Sequence, residues 1–312
     1  MALQAVAETG SFWAAAEVLE VSQSAISQQI AALERIAGQR LVERSRGRRT
    51  VELTEPGRLL LRHAEVIVAQ LRAAVADLRA YQAGDLGELR VGVYQSVSNR
   101  ILPRLLREFA RDYPGVTVVP NQSGSDDELL EMVRRGELDL TFTVYPLPEG
   151  PFDAEEMMRD PYVALLPADS ALAATKGVLR FESLAGQDFI ASNVCRTSEL
   201  LDQHLNSRGV EPHVVFRSDD NGTVQSMVGA GMGVAVVPWL AVDEHDPHVV
   251  VRPLPANVPP RVIVIAYHRD RYLSPPAARF ISLAKRVFAE FGAEVAPPGS
   301  RSAATETQTV HA

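Results

Sequence analysis

Residues 11–34, SFWAAAEVLEVSQSAISQQIAALE, contain two short amphipathic segments joined by a tight turn. Ser11 and Ser22 each precede one segment, and serine is a preferred residue at a helix N-terminus. In the second segment, the positions that share an apolar stripe on a helical wheel are Ile26, Ile30 and Leu33. Ala16 lies where the two helices would approach closely. This spacing predicts a helix-turn-helix, although two short helices in an all-α core remain an alternative.

The opposite face of the second helix carries short, uncharged polar side chains. Serine lets a helix approach the edges of bases closely, and glutamine can form two hydrogen bonds to adenine in a major groove. The candidate DNA-binding residues on this helix are Ser22, Gln23, Ser24, Ser27 and Gln28.

A basic segment follows the predicted helix-turn-helix. The chain has a formal net charge of −8, which by itself argues against a polyanionic partner, yet residues 40–62 contain seven arginines and three glutamates. Residues 41–54 have β-branched residues on both sides of Gly47, which favours a hairpin wing. We expect Arg46, Arg48 and Arg49 to contact phosphates or the minor groove. The alternative is a solvated surface loop.

A long helix is predicted from Thr54–Pro56 to about Tyr81, with Thr54 as its cap. Apolar residues recur in it at alternating intervals of four and three, as in a two-helix seam. The candidate dimerisation residues of this seam are Leu60, Ala64, Ile67, Leu71, Ala74 and Leu78. Packing against the chain's own core is the alternative, but charged and polar residues at most other positions favour pairing with a second copy.

From residue 88 onward, strand and helix patterns alternate, which predicts an α/β fold with a mostly parallel sheet, or two such sheets. The predicted strands are 88–94, 116–120, 138–144, 162–167, 188–192, 213–217, 233–238 and 262–268, and the predicted helices are 99–113, 126–136, 197–208, 221–231 and 275–291. Polar residues cluster after several of these strands. Ligands bind at that edge of such sheets, although loop and capping roles explain any single residue equally well.

Other functions lack a recognisable motif. The glycines of GAGMGVAVVP follow a helix and precede a strand, which is the reverse of a dinucleotide-binding order. DEHDPH offers two histidines without an evident third ligand, and Cys195 is the only cysteine. We therefore predict no catalytic residues, no metal site and no cofactor. The lack of an apolar membrane span and of a signal sequence predicts a cytoplasmic protein without a membrane partner.

The stretch AVAETGSFWAAAEVLEVSQSAISQQIAALERIAGQRLVER, followed by LTEPG, resembles the DNA-binding half of LysR-type transcriptional regulators. ILPRLLREFARDYPGV, LLEMVRRGELDLTFT and MVGAGMGVAVVP resemble the effector domain of that family. The resemblance covers residues 1 to about 291 in the family's order. Gln28 departs from the pattern, because an arginine is frequent at this position. The family also has several residues before the position of Met1, so the first helix is expected to be truncated.

The resemblance implies a winged helix-turn-helix regulator with a periplasmic-binding-protein-like effector domain, acting as a dimer or tetramer. Its base-contacting positions fall on Gln23, Ser24, Ser27 and Gln28. Its effector-binding positions fall on Ser96, Ser98, Ser125, Thr143, Asn193, Arg196 and Thr223. The implied divisions are a DNA-binding domain at 1–57, a linker and dimerisation helix at 58–82, a hinge at 83–87, an effector domain at 88–291 (subdomain I, 88–166 and 268–291; subdomain II, 167–267) and a disordered tail at 292–312.

Double-stranded promoter DNA, a small-molecule effector and a second copy of the chain are thus the expected partners, with RNA polymerase as a further candidate. Arg196 and helix N-termini favour a carboxylate or amino acid as effector, whereas Asp219 and Asp220 favour an amine if they face the cleft. Two other classes stay open: a small-solute-binding protein or enzyme on the same α/β fold, and a thiol-based sensor acting through Cys195.

Overall fold

The computed structural model describes residues 1–44, 50–83, 87–175, 177–192, 196–255 and 257–294, except for the side chains of residues 44, 77, 80–83 and 196–200. The chain divides into two compact units. The first unit contains Met1–Arg79 and Asp270–Tyr272, and the second contains the rest of the described chain. No helix among these residues is both long enough and apolar enough to cross a bilayer.

The first unit begins with three helices, α1 (Ala2–Thr9), α2 (Phe12–Val18) and α3 (Gln23–Ala37). The caps predicted for α2 and α3 are confirmed. The Ser11 side chain accepts a hydrogen bond from the Ala14 amide, and Ser22 accepts one from the Ala25 amide. The predicted apolar contact between the helices is also confirmed by burial. The buried core of this unit contains Leu3, Ala5, Val6, Phe12, Ala15, Ala16, Ile26, Ile30 and Leu41.

A hairpin and a long helix follow. Strands β1 (Val42–Arg44) and β2 (Val51–Leu53) pair in antiparallel fashion, which confirms the predicted wing. Helix α4 (Glu55–Ala83) begins where Thr54 Oγ1 accepts a hydrogen bond from the Gly57 amide. A Cβ at Gly57 would lie 2.0 Å from the Leu41 carbonyl oxygen, so only glycine allows this close approach.

The first lobe of the second unit is built on a five-stranded sheet. Its strands are β3 (Gly87–Val93), β4 (Val116–Gln122), β5 (Leu140–Val144), β6 (Phe152–Asp160) and β12 (Arg261–His268), in the order β4-β3-β5-β12-β6. The helices of this lobe are α5 (Gln95–Arg100), α6 (Leu102–Asp112), α7 (Asp126–Arg135) and α10 (Pro275–Glu294). Phe109, Phe142, Phe280 and Phe288 are fully buried in its core.

The second lobe contains two small sheets. Strands β7 (Tyr162–Pro167), β10 (Ala235–Pro238) and β11 (Val249–Pro253) form one sheet in the order β10-β7-β11, and β8 (Asp188–Ala191) pairs with β9 (His213–Arg217). Helices α8 (Arg196–Asn206) and α9 (Asn221–Gly229) accompany them, with short 3₁₀ turns at Phe181–Leu184 and Trp239–Ala241.

The prediction of mostly parallel sheets is wrong. Strand β3 is parallel to β4 and β5, and β8 is parallel to β9, but β12 is antiparallel to both of its neighbours and the three-stranded sheet is wholly antiparallel. Strands β6 and β11 were not predicted. Strand β6 has the sequence FDAEEMMRD and lies at a sheet edge, where one side of a strand is open to water and tolerates charge.

The predicted subdomain boundaries at Pro167 and Tyr267 are also wrong. Strand β7 pairs only with strands of the second lobe, whereas β12 pairs with β5 and β6 of the first lobe. The chain therefore crosses between lobes after Asp160 and again between Pro253 and Arg261. Hydropathy does not reveal this, because buried strands of both lobes have equally apolar sequences.

Candidate functional site

The polar face of α3 is open to solvent. Gln23, Ser24 and Gln28 are exposed and Ser27 is half-buried, while Ile26 and Ile30 on the other face are buried. The Ser22 hydroxyl caps the helix at 3.2 Å from the Ala25 nitrogen and lies 2.9 Å from the Ser24 hydroxyl. The first two turns of α3 therefore present only uncharged hydrogen-bonding groups to a partner.

The wing arginines that were predicted to contact DNA, Arg46, Arg48 and Arg49, lie outside the described residues. The two strands that lead to them are described, and their register pairs Val42 with Leu53 and Arg44 with Val51. The hairpin thus joins the basic segment to the unit that contains α3.

The large apolar side chains of the α4 seam are more exposed toward the C-terminal end of the helix than at its start. Leu60 is half-buried against the core of the first unit. Further along, Ile67 is 65% exposed, Leu71 65% and Leu78 62%. Ala64 is half-buried and Ala74 is exposed. Three large exposed aliphatic side chains at heptad spacing form an apolar stripe on this helix.

The second unit contains a cleft of about 560 Å³ between its two lobes. Of the predicted effector-binding residues, Ser96 and Ser125 line it, whereas Ser98, Thr143 and Thr223 are not among the lining residues. Successive side chains of a strand point to opposite faces, so Val144 lines the cleft and its neighbour Thr143 does not. Asn193, like Cys195, lies outside the described residues, as does the side chain of Arg196.

The floor of the cleft is defined by Tyr94, Ser96 and Arg261, beside the buried Asp160. Arg261 Nη2 donates hydrogen bonds to Asp160 Oδ2 at 2.6 Å and to Ser96 Oγ at 3.1 Å. Asp160 Oδ1 accepts from the Leu240 amide of the second lobe at 3.0 Å. Arg261 and Asp160 are paired across β12 and β6 beside one crossing between lobes. A buried ion pair therefore links both lobes at the floor.

Tyr94 completes this floor. The guanidinium carbon of Arg261 lies 5.2 Å from the centre of the Tyr94 ring, a cation–π distance. Burial raises the pKa of the Tyr94 hydroxyl above its usual value, so the group is a neutral donor at physiological pH. The hydroxyl oxygen is buried and has no hydrogen-bond partner among the described residues.

Gln95 connects the lobes at the rim of the cleft. Gln95 Nε2 donates to Asp220 Oδ2 at 2.5 Å, and Gln95 Oε1 accepts from the Asn221 amide at 2.7 Å. Asp220 also caps α9 by accepting from the Thr223 amide at 2.6 Å. The hydrogen bond from Gln95 is the main cause of the lowered pKa of the Asp220 carboxyl. The polar residues after β3 and β9 thus meet across the cleft.

Sequence reasoning did not select Tyr94, Asp160 or Arg261 as site residues. The sequence pattern places Tyr94 at the end of the predicted strand 88–94, directly before the polar run that contains Ser96 and Ser98. Asp160 and Arg261 belong to strands whose pairing was not anticipated, and their contact requires that pairing. The available sequence signal is a charged residue shortly before a predicted strand, and this signal is weak.

A helix-turn-helix unit with an exposed polar helix face, together with a two-lobed α/β unit that encloses a cleft, defines the architecture of a DNA-binding regulator with a ligand-binding domain. Residues 1–58 match the family model "Bacterial regulatory helix-turn-helix protein, lysR family", and residues 82–289 match "LysR substrate binding domain". The chain belongs to the LysR family and is a ligand-responsive transcriptional regulator of this type.

Similar proteins span nearly the whole chain. The probable HTH-type transcriptional regulator LrrA of Synechococcus elongatus is 32% identical over 289 residues, which cover 92% of this chain and 96% of that protein. An uncharacterized HTH-type transcriptional regulator of Shigella flexneri, YfeR, is 30% identical over 275 residues, covering 87% of each. A full-length OxyR variant from Pseudomonas aeruginosa shares the fold, with a TM-score of 0.66 at 24% identity and 92% coverage of both chains.

Proposed function

We propose that the protein binds double-stranded promoter DNA as a dimer or tetramer and places the N-terminal turns of α3 in the major groove. The observation that carries this proposal is the exposed, uncharged face of α3 opposite a buried apolar face. The residues proposed to contact bases or adjacent phosphates are Ser22, Gln23, Ser24, Ser27 and Gln28. Arg46, Arg48 and Arg49 would neutralise phosphates, which provides affinity without sequence selection.

The exposed stripe of α4 is the proposed dimerisation surface. Two copies joined there would carry two α3 helices, which suits DNA with two related half-sites. A solved relative, CbnR, has been captured in complex with its target DNA; it has a TM-score of 0.57 and 24% identity to this chain, with coverage of 92% of this chain and 97% of that one. We assign DNA binding to residues 1–57, dimerisation to 58–82 and effector binding to 88–291.

A small molecule bound in the cleft is the proposed signal. It would favour one arrangement of the lobes and thereby change DNA binding, and it can shift this equilibrium only by its differential affinity for the two states. We further propose that the protein acts in the cytoplasm through binding alone, without catalysing a reaction, and that RNA polymerase is a partner at the promoter.

Fluorescence anisotropy with labelled intergenic DNA adjoining the protein's own gene tests DNA binding. A Gln23→Ala variant should lose about 1–3 kcal/mol of binding to the preferred sequence, because one side chain that reads a base edge is removed. Gln203→Ala, on an exposed position of α8, is the matched control and should bind like the unaltered protein. Equal binding to all sequences, or an unaffected Gln23→Ala variant, would contradict the proposed interface.

The wing is tested separately with a variant in which Arg46, Arg48 and Arg49 are all alanine. Its affinity should fall about equally for every DNA sequence, and the dependence of its affinity on salt should become shallower. An unchanged salt dependence would remove these arginines from the interface.

A further inference from the structure

Within the described part of the chain, the floor of the cleft contains two hydrogen-bond donors for which no acceptor is found. Tyr94 is 8% exposed, lines the cleft and has a buried hydroxyl with no partner among the described residues. The hydrogen bonds of Arg261 within the described chain use Nε and Nη2, so Nη1 also has no acceptor there. Buried donors are nearly always satisfied in folded proteins, so the buried, unpartnered Tyr94 hydroxyl at the cleft floor indicates an acceptor on a ligand. Arg261 Nη1 beside it is a second donor that such an acceptor could use.

The charge of this floor is already balanced. The Asp160 side chain is 0% exposed and that of Arg261 is 11% exposed, and the two form an ion pair at 2.6 Å. A ligand carboxylate on Arg261 Nη1 would be the second anion on one guanidinium. Because a charge without its own counter-ion is costly to remove from water, the floor favours an uncharged oxygen acceptor.

The described walls of the cleft are mainly acidic and apolar. The acidic side chains among the described lining residues are Asp126, Asp127, Glu128, Asp202 and Asp219, whereas the basic ones are Arg217 and Arg261. Apolar side chains supply much of the remaining wall, among them Phe189, Ile190, Leu201, Leu205, Val214 and Val236. The described lining therefore contains more acidic than basic side chains, beside an apolar surface.

We propose that the effector is an uncharged or cationic small molecule whose neutral oxygen acceptor bonds to Tyr94 and Arg261, and that Asp160 determines this specificity by cancelling the charge of Arg261. This inference rests on the proposed function of the cleft as the effector site. The proposed effector differs from the carboxylate or amino acid expected from the sequence. That expectation depended on Arg196, whereas this proposal depends on the buried Asp160–Arg261 ion pair.

A matched pair of probes tests the proposal. 4-Methylpentanamide and 4-methylpentanoate have the same shape and differ in charge, and binding of each to the full chain can be measured by calorimetry or ligand-observed NMR. The amide should bind at least about tenfold more tightly, because the carboxylate would enter the cleft without a counter-ion. Equal or tighter binding of the carboxylate overturns the proposal, as does the absence of binding by both probes at 20 mM (about the weakest affinity a contact of this size gives).

Two variants locate the effect. Asp160→Asn keeps an acceptor for the Leu240 amide and removes the negative charge, so the preference for the amide should shrink or reverse; an unchanged ratio overturns the role of Asp160. Tyr94→Phe should weaken amide binding about fivefold, the value of one neutral hydrogen bond. Tyr113→Phe, whose ring packs on Phe109, is the control that should leave both affinities unchanged.

The fluorescence of the buried Trp239 reports whether Asp160→Asn folds. If that variant does not fold, Tyr94→Phe still tests the proposal. An unaltered amide affinity in Tyr94→Phe overturns the proposed floor contact. DNA binding by the same preparations, measured by anisotropy, distinguishes failure of this inference from failure of the proposed function. If the amide is not preferred but DNA binding is intact, only the inference about the effector is rejected. If the protein does not select among DNA sequences, the proposed function is rejected.

Discussion

The polar face of α3 and the cleft floor differ in how the chain builds them and in their exposure to water. The polar face of α3 comes from one short stretch of sequence, its side chains are uncharged, and water surrounds most of them. The cleft floor joins Tyr94, Asp160 and Arg261, which are far apart in sequence, and it holds a charged pair away from water. A surface that must approach DNA needs exposed side chains on a firm helix, whereas a selective cleft needs donors held at fixed positions by packing.

This difference has an energetic consequence. Removing a side chain from the exposed face of α3 should affect binding and leave folding unchanged. Removing one partner of the Asp160–Arg261 pair should affect folding itself, because the other charge would remain buried without compensation. The two tryptophans report on the units separately: Trp13 is 60% exposed in the first unit, and Trp239 is fully buried in the second.

The largest expected effect is that of Arg261→Met. This change should lower the free energy of unfolding of the second unit by about 3–5 kcal/mol at neutral pH, because it leaves Asp160 buried without its cation. Urea unfolding followed by Trp239 fluorescence measures it. Arg159→Met, which breaks an exposed pair with Glu156, is the neighbouring control and should change stability by less than about 1 kcal/mol.

The loss of stability caused by Arg261→Met should depend on pH. Burial raises the pKa of the Asp160 carboxyl, so protonation at acidic pH removes the uncompensated charge. The loss caused by Arg261→Met should therefore shrink as the pH falls. If the loss of unfolding free energy in Arg261→Met does not depend on pH, the effect comes from packing and not from the buried charge. The contrast between a charged cleft floor and an uncharged face of α3 would then be weaker.

Ile26→Ala should be next in size. Ile26 is 0% exposed between the helices of the first unit, and its truncation should cost about 2–5 kcal/mol of that unit's stability. Ile36→Ala is the control on the same helix; Ile36 is 85% exposed and its change should stay within about 0.5 kcal/mol. Thermal unfolding followed by Trp13 fluorescence compares them, and equal effects would contradict the assignment of the two faces of α3.

Leu71→Asp should alter assembly and leave folding nearly unchanged. Leu71 is 65% exposed on the α4 stripe, so a charge there should separate the copies with little effect on the folded monomer. Sedimentation at several concentrations would show a shift from dimer or tetramer to monomer. Leu59→Asp, at a 51% exposed position of α4 outside the stripe, should keep the assembly intact.

The smallest expected effect is that of Gln95→Ala, which removes the bridge to Asp220 and Asn221. The pKa of Asp220 is lowered in the folded protein, so its contribution is present above the unfolded pKa of about 4 and is lost as the pH falls through the folded value. The thermal midpoints of the two proteins should thus differ slightly at pH 7 and approach each other as the pH is lowered into the range where the folded Asp220 carboxyl becomes protonated. A difference that grows in acid would contradict this bridge.

Elements with strong local signals were predicted well from the sequence. Ser11, Ser22 and Thr54 cap their helices as predicted, and the hairpin after α3 is present. Each of these features depends on residues within a few positions of one another, where backbone hydrogen bonding and side-chain spacing decide the structure. Of the effector-binding residues predicted from the sequence, Ser96 and Ser125 line the cleft, Ser98, Thr143 and Thr223 do not, and Asn193 and the Arg196 side chain lie outside the described residues.

Local sequence patterns were sufficient to predict the helix-turn-helix, the long heptad helix and the alternation of strands and helices, and sequence resemblance was sufficient to predict the family. The position of β12 between β5 and β6, which brings Arg261 to Asp160 and Ser96, is seen only in the folded chain. The two kinds of feature differ in how far apart in sequence the interacting residues lie. Local patterns fix which segments form helices or strands, whereas the pairing of strands from opposite ends of a domain depends on how complete lobes bury their apolar faces together.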